Sequence, residues 1–82
     1  MKYYKAVGCR FNELLQEKGM TKVQLARETG ISYRCVLRIT TGKVTKLSVY
    51  RFYELCKAVG IKLADFFDSP LFDFRILDKI SR

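Results

Sequence analysis

Arg34 and Arg38 stand one helical turn apart in the stretch ISYRCVLR, residues 31–38, with no carboxylate between them. Like charges at this spacing repel by a few tenths of a kcal/mol on a helix, so an external acceptor is the simplest reason to keep both. At about 100° per residue, Tyr33, Leu37, Thr41, Arg34 and Arg38 share an arc of about 140°, while Cys35, Ile39 and Val36 fall on the opposite side. One face is therefore apolar and suited to a core. The other carries an aromatic ring, an aliphatic side chain and two guanidinium forks. Such a fork matches O6 and N7 of guanine bidentately, and tyrosine or leucine can pack on a thymine methyl, so this face has the chemistry to read base edges.

The rest of the charge agrees. The chain of 82 residues has a formal net charge of +8. Residues 1–47 hold ten basic side chains against three acidic ones, a net +7, and the remainder nets only +1. This asymmetry points to a polyanionic partner for the first half. Other chemistries find little support. The sequence has no histidine, no Gly-rich phosphate loop and no nucleophile elbow, so an enzyme is the weakest reading. Cys9, Cys35 and Cys56 are odd in number and widely spaced, and they are read as small apolar residues in or near the core. No metal, cofactor or disulfide is expected. Tyr3, Tyr4, Tyr50 and Tyr53 are read as core and rim residues and not as a stacking platform for single strands. With no apolar run of membrane-spanning length and no signal-like start, the expected location is cytoplasmic.

The elements that must position the arginines are marked by their ends. Thr21, Ser32 and Ser48 each fit an N-cap, and Thr21 with Gln24 fits a capping box. Met20, Ile31 and Leu47 precede these caps as hydrophobic staples for Leu25, Val36 and Phe52. Gly19, Gly30, Gly42 and Gly60 stand where helices should end. These signals predict helices over about 5–18, 22–29, 33–40, 49–59 and 63–68. Val7, Phe11, Leu14 and Leu15 make the core stripe of the first; Phe52, Leu55, Cys56 and Val59 make that of the fourth. A chain this short has one core, burying roughly 60 % of its unfolded surface. Residues 1–68 are therefore expected to form one compact all-α domain, followed by an apolar extension over 69–82. That extension, SPLFDFRILDKISR, fits a strand through Phe72, Phe74 and Ile76, and equally a helix through Phe72, Ile76, Leu77 and Ile80. It should pack on its own domain or on a second copy, and a homodimer contact is the preferred reading.

The second helix must end, turn and hand over to the third within TGIS. Ala26 allows close approach, Gly30 accepts the turn, Ile31 plugs the junction and Val36 is buried beneath, which are the requirements of a helix-turn-helix. From Phe11 to Phe67 the chain resembles the lambda-repressor-like (Xre/Cro) helix-turn-helix family of bacterial and phage regulators. The residues that carry the resemblance are Thr21, Leu25, Ala26, Gly30, Ile31 and Ser32, then Gly42 and Lys43, then the Ala-x-Gly-Ile…Phe-Phe ending. Thr40 stands where the family often has glutamate, and Leu47 where it often has proline.

The resemblance implies a five-helix fold whose third helix enters the major groove of double-stranded DNA. It would place Tyr33, Arg34, Leu37 and Arg38 nearest to bases. Thr21 and Lys22 at the start of the second helix, with Thr41, Lys43 and Lys46 after the third, would meet the phosphate backbone. The function so implied is sequence-specific transcriptional regulation, acting as a homodimer through 69–82. The alternative is an antitoxin or anti-regulator that uses the same fold chiefly to hold a protein partner.

Overall fold

Three of the helices start on a side chain that satisfies a backbone amide the helix itself cannot. Thr21 accepts from Gln24 N while the Gln24 side chain accepts from Thr21 N at 2.8 Å, a complete capping box. Ser32 accepts from Cys35 N and Ser48 from Arg51 N. The computed structural model describes residues 2–73, and among them are five α-helices: α1 (Tyr3–Lys18), α2 (Lys22–Thr29), α3 (Tyr33–Thr40), α4 (Val49–Val59) and α5 (Leu63–Phe66). A 3-10 turn, Pro70–Phe72, follows. The all-α, five-helix expectation holds.

Some boundaries differ from those expected. Helix α1 begins at Tyr3 because Lys2 adopts an extended conformation and its carbonyl accepts from Lys5 N and Ala6 N, with no capping side chain to announce it. Helix α5 stops at Phe66, before the expected residue 68. The extension opens neither as strand nor as longer helix. Ser69 Oγ accepts from Leu71 N, and Pro70 takes the first position of a single 3-10 turn. The strand and helix alternatives for Phe74 to Ile80 lie outside the described residues.

The core gathers one stripe from each helix. Phe11, Leu14 and Leu15 of α1 meet Leu25 of α2, Val36 and Ile39 of α3, Leu55, Cys56 and Val59 of α4, and Phe66 of α5. Met20, Ile31 and Leu47, the three staple residues, are half-buried against this cluster. At one end the rings dominate. Phe66 lies 4.7 Å from Phe11 and 4.9 Å from Phe52, centroid to centroid, within the range where tilted and edge-on aromatic pairs attract. Phe72 joins this group, its ring 4.9 Å from Phe67, so the start of the extension packs on its own domain.

Cysteines and tyrosines correct the expectation in detail. Cys56 is buried, and burial pushes its thiol up to about 12; Cys9, by contrast, is exposed on α1 and not in or near the core. Tyr3, Tyr50 and Tyr53 are exposed and Tyr4 half-buried, so these rings lie at the rim and not in the core. No helix among the described residues is long and apolar enough to cross a membrane.

Candidate nucleic-acid interface

The turn between α2 and α3 is built by short-range hydrogen bonds. Gly30 sits at φ +75°, where a side chain would be strained, and its N–H donates to Ala26 O. Thr29 Oγ1 donates to Leu25 O at 2.8 Å and accepts from Ile31 N at 3.2 Å, fastening both sides of the turn. Helix α3 therefore leaves α2 in a fixed direction. Its inner face is anchored from three sides: α1 and α2 pack on it, and the Arg51 guanidinium of α4 donates to Cys35 Sγ at 3.5 Å.

Two positions on the opposite faces of α3 make the contrast plain: Val36 is 0 % exposed and Tyr33 is 48 % exposed. Leu37 is also exposed, an aliphatic side chain held out of the core. Arg34 and Arg38 are exposed, and among the described residues neither guanidinium has a hydrogen bond or an ion pair. Arg10, by contrast, pairs with Glu13 on α1. The stretch from residue 29 to 53 contains no Asp or Glu at all. The outer face of α3 thus presents donors with no internal acceptor, next to apolar surface. Thr40, where the resembled family often carries glutamate, is buried and donates to Val36 O at 3.0 Å, so it takes no part in that face.

The residues expected to flank this face are distributed as follows. Thr21 is exposed, and its Oγ1, though it accepts from Gln24 N, retains its own proton for a donor role. Lys22, at the first position of α2, is half-buried. Thr41 is exposed at the end of α3, its hydroxyl donating to Leu37 O at 2.8 Å. In the α3–α4 connection Lys43 and Lys46 are exposed, while Val44 and Leu47 are half-buried against the core. The apolar pair anchors the connection and the lysines face water.

Sequence reasoning missed the residues that set α1 against α3. A Cβ added to Gly8 would lie 2.8 Å from Ile39 O and 2.9 Å from Thr40 O, so only glycine permits this approach. One turn on, Asn12 Nδ2 donates to Thr40 O at 2.9 Å. Arg10, one of the ten basic side chains of residues 1–47, is used internally: Nε donates to Phe66 O at 2.8 Å and Nη2 to Asp65 O at 2.9 Å, tying α1 to the end of α5. All three contacts join residues 28 or more positions apart, and no local spacing signals them.

Comparison with known sequences adds one match. Residues 10–70 match the family described as the Cro/C1-type HTH DNA-binding domain. No curated protein and no solved structure matches the chain.

Proposed function

The chain belongs to the Cro/C1-type helix-turn-helix DNA-binding domain family, and from that membership we propose that it is a sequence-specific regulator of transcription that lays α3 in the major groove. The observation that carries this reading is the outer face of α3: two exposed, internally unpartnered arginines flanked by exposed Tyr33 and Leu37, on a helix whose other side is fully anchored. Arg34 and Arg38 read guanine edges, with Tyr33 and Leu37 packing beside them. Thr21, Lys22, Thr41, Lys43 and Lys46 hold phosphates on either side, supplying affinity that falls with salt and carries no sequence information.

The working unit in this reading is a homodimer on two half-sites about one helical turn of DNA apart. Its contact is the extension over 69–82, together with exposed apolar side chains of α4 and α5. Val49 and Tyr53, one turn apart on α4, and Leu63 and Phe67, one turn apart at α5, are all exposed. Paired apolar positions of this kind favour a protein partner, and a second copy is the partner that a two-fold operator requires.

Selection of bound sequences from a random duplex pool tests the reading. A recurrent motif, repeated with two-fold symmetry, is the expected result. A pool that retains the protein but yields no motif would overturn it.

A further inference from the structure

The first turn of α1 lies against the α3–α4 connection, and the inference drawn from it rests on the DNA-binding reading. A Cβ added to Gly42 would meet Lys5 Cα and Lys5 Cγ, each at 3.0 Å. The stem of Lys5 therefore lies across Gly42, between Thr41 and Lys43. The Tyr3 hydroxyl donates to Thr45 O and fastens the same turn of α1 to the residue before Lys46. Lys5 is exposed, with Nζ 6.0 Å from the Tyr4 ring centroid, and among the described residues it has no ion pair. Neither segment meeting at this corner offers an acid, because residues 1–12 and 29–53 contain no Asp or Glu.

A lysine at the carboxyl end of a helix could serve simply to balance the partial negative charge of the last carbonyls. Here those carbonyls are already occupied. Ile39 O accepts from Gly42 N, Thr40 O from Asn12 Nδ2, Leu37 O from Thr41 N and Arg38 O from Lys43 N. These four carbonyls have their donors without Lys5, and its exposed ammonium group is open to an external anion. We propose that Lys5 is a DNA phosphate contact, so that α1 and the α3–α4 connection grip one backbone strand together, with Lys5, Lys43 and Lys46 spread along it.

The test is the salt dependence of affinity for the selected duplex, measured with Lys5→Met, which keeps the stem over Gly42, and with Lys5→Arg, which keeps the charge. Loss of one phosphate contact lowers the slope of log K against log salt by about 0.9. Between 50 and 200 mM salt the affinity of the Met variant then falls about 3.5-fold less than that of the parent. The Arg variant restores the parent slope, Lys57→Met on α4 leaves it unchanged, and selected and random duplexes weaken alike with Lys5→Met. A parent slope retained by Lys5→Met overturns the proposal, including the case where affinity drops at constant slope, which marks a structural role. A parent protein that shows no preference for the selected duplex instead overturns the regulatory reading on which the proposal stands.

Discussion

Gly8→Ala separates two opposed effects of known sign. In the middle of a helix, replacing glycine by alanine should stabilise by about 1 kcal/mol, because alanine is the better helix former. At Gly8 the new methyl would lie 2.8 Å from Ile39 O, 2.9 Å from Thr40 O and 3.0 Å from Gly42 N, all backbone atoms that cannot rotate away. Overpacking against a rigid neighbour costs about 1–3 kcal/mol, and three close backbone contacts put this site in the upper half of that range. The net expectation is destabilisation by about 1–2 kcal/mol. At about 4–8 °C per kcal/mol for a domain of this size, the midpoint of thermal unfolding falls by roughly 5–15 °C. Because the displaced atoms belong to the end of α3, affinity for the selected duplex falls as well, even at temperatures where the variant is fully folded. Circular dichroism melting and a binding titration measure the two effects. An unchanged or raised midpoint would show that α1 does not approach α3 as closely as argued.

Loss of the α2 cap in Thr21→Ala should cost about 1 kcal/mol, while Thr21→Ser, which keeps the oxygen that accepts from Gln24 N, should cost little; chemical denaturation of the pair measures the difference. Cys56 supplies a pH dependence. Its thiol is raised from 9.0 to about 12 by burial, so above pH 9 the unfolded chain releases this proton while the folded chain keeps it. The resulting stability is fully present below pH 9 and is lost as pH rises towards 12. Cys56→Ala should therefore flatten that part of the stability–pH profile, and a thiol reagent at pH 8 should label exposed Cys9 well before Cys56.

What the sequence revealed and what it hid divide along the range of the interactions. The starts of α2, α3 and α4 were legible because a capping hydroxyl acts on an amide three residues away, as Ser32 does on Cys35 N. The two faces of α3 were legible for the same reason, since the helical period alone separates Val36 and Ile39 from Tyr33, Arg34, Leu37 and Arg38. The start of α1 was not, because Lys2 provides no capping side chain. The turn at Pro70–Phe72 had a local signal, Ser69 followed by proline, that the alternation of Phe72, Phe74 and Ile76 masked. Gly8, Asn12 and Arg10 were invisible as positioning residues because their partners lie on α3 and α5, and only the assembled fold brings them together. Lys5 is legible in the sequence only as charge, since its position over Gly42 is likewise a tertiary fact.

Discrimination between the selected duplex and a random one, compared across Arg34→Ala, Arg38→Ala and Lys46→Ala, tests most directly whether the outer face of α3 reads sequence. Each arginine variant is expected to lose about 1–3 kcal/mol, roughly 5- to 150-fold, on the selected duplex and little on the random one, while Lys46→Ala weakens both alike. Equal losses on the two duplexes for the arginine variants would contradict the account.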